Sequence, residues 1–324
     1  MQKLDRTKRP ELTVVITGAS SGAGRAIAIE LAKVGARLVL AARREEALQE
    51  VATECEGLGA RAIVVVTDTR VATDVAELAK AAEDFGGTIN VWVNNAGVLA
   101  AGAFEAIPAA VNEDVVRTNL LGYIHGAQAV LPIFKKQGYG MLINNISVGA
   151  WFPTPYMAAY SASKFGLRGF FESLRGELLQ FPNIHICDLY PAFLDTPGMQ
   201  HAANYTGKVL RPSPPLLDPR TVGRAVIALL NRPVHKSALG VFPHLLHLAY
   251  GLFPDLSRNL TAFAIRTYLH GAAASEVTSG NVLAPVGYGT SIDGGWRNTS
   301  LKPATQKGLL LFGLVAVLAL LRRK

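Results

Sequence analysis

Tyr160 and Lys164 stand four residues apart in Tyr160-Ser161-Ala162-Ser163-Lys164, and Ser147 ends an apolar run thirteen residues upstream. Positions i and i+4 share one face of a helix, so a helix from about Tyr156 holds the phenol and the ammonium side by side. A neighbouring cation favours the phenolate and draws a donor with a reference pKa of about 10 toward neutral pH. A group tuned in this way gives a proton to a carbonyl oxygen or takes one from an alcohol. The same spacing also occurs in helices where the tyrosine merely packs and the lysine is solvated, so the surrounding elements decide its meaning.

Those elements alternate. Strand-like apolar runs fall at Leu12–Thr17, Arg37–Ala41, Ala62–Val66, Asn90–Val93, Met141–Ser147 and Ile184–Leu189. Helix-like stretches separate them at Gly24–Val34, Glu45–Gly57, Ala72–Phe85, Asn112–Gln137 and Tyr156–Gln180. Strands alternating with helices of this length predict right-handed crossovers and a doubly wound parallel α/β sheet covered on both faces.

The first run leads into Gly18-Ala19-Ser20-Ser21-Gly22-Ala23-Gly24, and a helix follows. Glycines let a backbone turn tightly and approach a pyrophosphate, while a helix N-terminus offers N–H donors and the positive end of a dipole. Gly18, Ser20, Ser21, Gly22 and Gly24 are therefore candidate cofactor contacts. The second run ends Leu40-Ala41-Ala42-Arg43-Arg44, without the acidic residue that an NAD site offers to the ribose. An arginine suits a 2′-phosphate instead, so the expected cofactor is NADP(H), with Arg43 nearer the strand end.

Together, Thr17–Gly24, Asn94-Asn95-Ala96-Gly97, Asn119, Ser147 and Tyr160-x-x-x-Lys164 resemble, in order and spacing, the short-chain dehydrogenase/reductases. The resemblance covers roughly residues 10–235. It implies a Rossmann fold in which Tyr160 is the general acid or base and Lys164 lowers its pKa and binds the nicotinamide ribose. It also implies that Ser147 polarises the substrate carbonyl and that Asn119 holds a water linking Lys164 to solvent. Asn95, Ala96 and Gly97 would close the fourth strand against the cofactor, and Asp68 would meet the adenine ring. Tyr190-Pro191-Ala192-Phe193-Leu194-Asp195-Thr196 resembles the family's Pro-Gly-x-x-x-Thr segment, with Ala192 in place of glycine. Pro191 and Thr196 would then approach the carboxamide. Family members commonly dimerise or tetramerise through the helices up to and including the Tyr160 helix. A membrane-tethered NADP(H) sensor of the same fold, without chemistry, is the second reading; all four catalytic types being present weighs against it.

Half of the 324 residues are hydrophobic and 17% are charged, ample for a large core. The net charge of +8 gathers partly at the ends, in Lys3, Arg6, Lys8 and Arg9, and in Arg322, Arg323 and Lys324. Basic ends without an aromatic-interleaved basic patch favour an anionic membrane surface over nucleic acid. Cys55 and Cys187 are too few for a disulfide framework.

Beyond the motifs, residues 236–300 read as a helical extension on the substrate side and 301–324 as a tail. Leu245, Leu248, Leu252 and Leu256, then Leu260 and Phe263, recur at helical spacing. They are either ordinary core or an apolar lid over a lipid-like substrate that also touches a membrane interface. Arg211-Pro212-Ser213-Pro214-Pro215 is a stiff loop placed to shape a substrate entrance. His244 and His247 lack a third ligand nearby, so no metal is expected. Ser291-Ile292-Asp293-Gly294-Gly295 resembles a common family ending but lies far downstream, and no role is transferred to it. Leu309–Leu321 carries no charge and ends at three bases. A bilayer core of ~30 Å takes about twenty apolar residues, so thirteen either insert partly or span with snorkelling ends. Both place the protein at a membrane, with the catalytic domain on the cytoplasmic side by the positive-inside preference.

Overall fold

The computed structural model describes residues 11–297. Its strands are β1 (Thr13–Thr17), β2 (Arg37–Ala42), β3 (Arg61–Val66), β4 (Val91–Asn94), the two-residue β5 (Ala100–Ala101), β6 (Gly140–Asn145), β7 (Ile184–Pro191), the two-residue β8 (Ala203–Asn204) and β9 (Lys236–Leu239). Its α-helices are α1 (Gly22–Ala32), α2 (Glu45–Gly57), α3 (Ala72–Gly86), α4 (Ala109–Val116), α5 (Gly122–Gln137), α6 (Ala158–Glu177), α7 (Arg220–Asn231), α8 (Phe242–Leu252), α9 (Pro254–Gly271) and the short α10 (Gly280–Leu283). Seven strands form one sheet in the order β3-β2-β1-β4-β6-β7-β9, and every pairing in it is parallel. β5 and β8 pair separately.

The sheet is parallel because both of its faces are apolar. All five residues of β1 are buried, which an alternating, one-sided strand would not allow. One face packs against α1, α2 and α7 through Ile27, Leu31, Leu48 and Val226. The other packs against α3, α5 and α6 through Leu78, Val130, Leu167 and Phe171. Strand order reverses between β1 and β4, which opens a crevice at the carboxyl ends of the strands.

A polar row crosses this apolar sheet. Trp92 Nε1 donates to Asn94 Oδ1 at 2.9 Å, Asn94 Nδ2 to Asn144 Oδ1 at 3.0 Å, and Asn144 Nδ2 to Asp188 Oδ1 at 2.9 Å. Arg175 closes the row on Asp188 at 2.6 Å. These residues face one another across β4, β6 and β7, so a register slip would leave buried amides unpaired at about 1–3 kcal/mol each.

Two expected elements change shape. The single helix expected over Asn112–Gln137 starts earlier, at α4, and passes through a π-helical stretch at Arg117–Leu121 before α5. The wider turn sets Asn119 into the interior, which a regular helix of the same residues would rotate. The helix expected from Tyr156 starts at Ala158, because Tyr156 itself has a positive φ of 67°. Both α7 and β9 escaped the sequence pattern, and β9 carries the sheet past residue 235. Among the described residues no helix is long and apolar enough to cross a membrane; the tail lies outside them.

Gly126 of α5 lies against the polar row. A Cβ there would run into Asn94 Oδ1 and stand 2.7 Å from Trp92 Nε1. Gly→Ala gains up to about 1 kcal/mol of helix propensity, but overpacking and a broken buried hydrogen bond cost more. Gly126→Ala is expected to destabilise the fold by about 2 kcal/mol, read by urea unfolding.

Candidate active site

The Gly-rich turn and the fourth strand interlock at the crevice. Asn95 Nδ2 donates to the Thr17 and Gly18 carbonyls at 3.0 and 3.1 Å, and its Oδ1 accepts from Asn145 Nδ2 at 2.8 Å. Thr17 Oγ1 accepts from the backbone N–H of Asn95 and of Ala96. This close approach leaves no room for side chains. A Cβ on Gly18, where φ is +65°, would sit 2.7 Å from Ala96 Cα, and one on Gly24 would run into the Gly18 carbonyl oxygen. The result is a bare backbone cradle at the N-terminus of α1, with Ser21 in the cap position and its side chain making no cap bond.

One cleft of about 1810 Å³ joins this cradle to the tyrosine. That exceeds the ~300–1,000 Å³ of a single-ligand pocket and suits a dinucleotide beside a substrate. Gly18, Ser20, Ser21, Gly22, Gly24, Arg43, Asp68, Asn95, Ala96, Gly97, Ser147, Tyr160, Lys164, Pro191 and Thr196 all line it. Asn119 alone among the expected site residues does not.

Asn119 is buried and its side chain bonds protein partners on both sides of the amide. Oδ1 accepts from Val98 N–H at 2.8 Å, while Nδ2 donates to Val98 O at 2.8 Å and Ser163 Oγ at 3.3 Å. Through its side chain it ties the loop after β4 to α6. Asp68 is likewise occupied. Arg70 Nη2 grips its carboxylate at 2.6 Å, while Nη1 of the same arginine bonds Asp114. Arg43 lines the cleft with Nη2 2.5 Å from Asn281 O and Nη1 3.3 Å from Val282 O. Burial lowers its pKa, countered by the charge of Asp68.

Ser147 sits at φ 123°, ψ 154°, a region populated almost exclusively by glycine, and its Oγ accepts from Gly149 N–H at 3.1 Å. Strain of about 1–3 kcal/mol is held there by the surrounding structure. Burial pushes the Tyr160 phenol's pKa up, and a hydrogen bond with Ser147 draws it down less strongly. Lys164 is 4% exposed, with Nζ 5.2 Å from the Tyr123 ring centroid and 5.7 Å from that of Tyr160. The sequence led us to expect a lysine-lowered tyrosine. In this cleft burial dominates instead, so Tyr160 stays a neutral donor and the ammonium is the perturbed partner, its pKa lowered by desolvation to about 7.

The Tyr160 side of the cleft opens onto an apolar chamber. Phe152, Met157, Phe193, Leu216, Phe242 and Leu246 line it, with Leu260 and Phe263 of α9 and the Arg211–Pro214 loop. Leu245, Leu248, Leu252 and Leu256 face away and remain exposed rather than forming core. His244 and His247 lie against Trp151, with ring centroids 6.2 and 4.7 Å away. The contribution that sequence reasoning missed comes from residues 281–297. Asn281, Val286, Tyr288, Thr290 and Trp296 line the cleft's other wall. Asp293-Gly294-Gly295 was the one available signal.

A lysine whose pKa is lowered on folding carries a stability cost. That cost is full below pH 7, where the ammonium is charged folded and unfolded, and vanishes above its ordinary value of 10.5. Lys164→Met is expected to raise Tm of the cofactor-free protein, most below pH 7 and progressively less toward pH 10, as read by thermal melts across pH.

Comparison with known proteins fits this geometry. The short chain dehydrogenase family profile matches residues 12–206. The uncharacterised oxidoreductase YxnA of Bacillus subtilis is 30% identical over 325 residues, covering 97% of this chain and 90% of its own. An 11-beta-hydroxysteroid dehydrogenase A of Sesamum indicum is 38% identical over 185 residues, 56% of this chain and 52% of that protein. An alcohol dehydrogenase of the archaeon Thermococcus sibiricus, solved with 5-hydroxy-NADP, superposes at a TM-score of 0.62 with 28% identity, over 70% of this chain and 95% of its own. Solved neighbours include complexes with NADP and with NAD. A profile match over more than half its length, on a seven-stranded parallel sheet with this cleft, makes the chain a member of the short-chain dehydrogenase/reductase family of oxidoreductases.

Proposed function

We propose that the protein is an NADP(H)-dependent oxidoreductase acting on a carbonyl/secondary alcohol pair within an apolar, lipid-like substrate. The observation that carries this reading is the convergence of Ser147, Tyr160 and Lys164 on one cleft, between a phosphate cradle and a chamber of phenylalanines. The residues fit the cofactor. The cradle excludes even a Cβ, and Arg43 is bonded to neutral carbonyls, so it keeps its full charge for an anion.

When bound, the nicotinamide supplies or accepts the hydride. Gly18, Ser20, Ser21, Gly22 and Gly24 would hold the pyrophosphate, Arg43 the 2′-phosphate and Lys164 the nicotinamide ribose, with Pro191 and Thr196 beside the carboxamide. Asn95, Ala96 and Gly97 fix the floor of the cleft. Ser147 donates to the substrate carbonyl and sets its orientation. Tyr160 gives its proton to the same oxygen in reduction and takes it back in oxidation, and Lys164 stabilises the phenolate that forms. Asn119 acts by holding α6 in register with the loop after β4. A cofactor sensor without chemistry would leave the strained Ser147 and the desolvated Lys164 without a purpose.

The substrate class rests on the phenylalanine-lined chamber. The sequence of Leu309–Leu321 and its basic end, with the exposed stripe Leu245, Leu248 and Leu252, supports attachment to a lipid bilayer, the catalytic domain facing the cytoplasm. Self-association through α5 and α6 follows the family's habit.

Tyr160→Phe is expected to lower turnover by about 10³-fold or more while NADPH still binds. The assay follows NADPH absorbance with a panel of apolar ketones and aldehydes; normal turnover by the variant sinks the assignment. Carbonate extraction of membranes from cells making the full chain tests attachment, and recovery in the soluble fraction contradicts it.

A further inference from the structure

After β9 the chain leaves the sheet, builds α8 and α9 over the substrate chamber, and then returns across the opposite end of the cleft. The return is fixed at both ends. Thr278 and Asn204 exchange backbone hydrogen bonds of 3.0 and 2.8 Å, and Val282 is fully buried among Val98, Val111, Val115 and Ala203. At the far end Ile292 joins the main core and Asp293 pairs with Arg220 at 2.8 Å and Arg297 at 2.7 Å.

Between these anchors the segment offers main-chain carbonyls to four arginines, the cleft-lining Arg43 and Arg44 and, outside that lining, Arg25 and Arg70, whose Nη1 lies 3.5 Å from Val282 O. Arg43 bonds Asn281 O and Val282 O, Arg44 bonds Val286 O at 2.6 Å, and Arg25 bonds Thr290 O at 3.0 Å. The partners of Arg43 are neutral, which matters. A carboxylate would cancel the charge of Arg43, whereas two carbonyls fix its guanidinium plane and leave Nε–H and the outer protons available. The nearby carboxylates are diverted: Arg70 holds both Asp68 and Asp114.

We propose that residues 280–290 form an added wall of the cofactor site that orients Arg43 for the 2′-phosphate and so sets the preference for NADP(H) over NAD(H). This rests on the NADP(H) reading above. Asn281 and Val282 are thus positioning residues acting through their backbone. A free arginine surrenders up to about 2 kcal/mol of rotamer entropy when it captures a phosphate, and the wall removes part of that cost beforehand. NADH carries no 2′-phosphate and is indifferent to how Arg43 points.

Gly280 is the lever. Its φ is +51°, and a Cβ there would stand 2.5 Å from the Ala202 carbonyl carbon and run into the His201 carbonyl oxygen, so Gly280→Ala shifts the carbonyls that follow. Asp293→Asn loosens the far anchor, through Arg220 and the cleft-lining Arg297, at a residue that does not itself line the cleft. Dissociation constants of NADPH and NADH are to be measured by fluorescence on the full chain for wild type, Arg43→Gln, Gly280→Ala and Asp293→Asn, with Tm as the check of folding. Gly280→Ala is expected to weaken NADPH about tenfold and NADH less than twofold, with Asp293→Asn changing the ratio in the same direction by a smaller factor. Equal weakening of both cofactors, or an unchanged ratio in variants that fold, overturns the wall's role while a wild-type NADPH preference lost in Arg43→Gln leaves the cofactor reading standing. A wild type that binds NADH as tightly as NADPH removes both. Should Gly280→Ala fail to fold, Asp293→Asn decides.

Discussion

Everything at this site depends on keeping one ammonium nearly out of water. Lys164 is held on α6 against two aromatic rings, at a cost that the sheet and its helices must cover. Desolvation is what makes the group useful. A lysine in bulk water would be screened and strongly hydrated, whereas here desolvation lowers its pKa to about 7 and leaves its charge little screened. The surrounding peculiarities follow from that need. The π-helical stretch inserts Asn119 to lock the loop after β4 onto α6, and the strained Ser147 backbone brings a hydroxyl onto the phenol.

The fold supplies this rigidity cheaply because parallel strands deliver their carboxyl ends to one edge. The polar row from Trp92 through Asn94, Asn144 and Asp188 to Arg175 pins the central strands in register. One residue further along, Asn95 and Asn145 face the cleft and bond each other. Register in the core therefore sets geometry at the site. A slip of one residue would misplace both.

Much of this was legible in the sequence. Buried parallel strands are continuous apolar runs, so β1, β2, β3, β4, β6 and β7 showed themselves, and the Gly18–Gly24 turn followed its strand as a phosphate cradle should. Tyr160 and Lys164 share a face because helix geometry leaves no alternative. β9 stayed hidden because Lys-Ser-Ala-Leu is a short edge strand with half its pattern polar. The break at Arg117–Leu121 stayed hidden because a π turn differs from an α turn by one residue and has no composition of its own. The return of residues 280–297 was least visible. Its contacts to Arg43 and Arg44 come from backbone carbonyls about 240 residues away in sequence, and a carbonyl is offered by every residue type.

The central claim is that Tyr160 passes its proton to the substrate oxygen from a site whose charge is Lys164. The most direct measurement is the pH dependence of single-turnover NADPH oxidation by an apolar ketone. The account predicts a rate that falls as pH rises, first as Lys164 loses its proton and again at higher pH as Tyr160 ionises, with the second limb missing from whatever residual rate Tyr160→Phe retains. A second limb that persists in the variant, or a wild-type rate indifferent to pH, would contradict it.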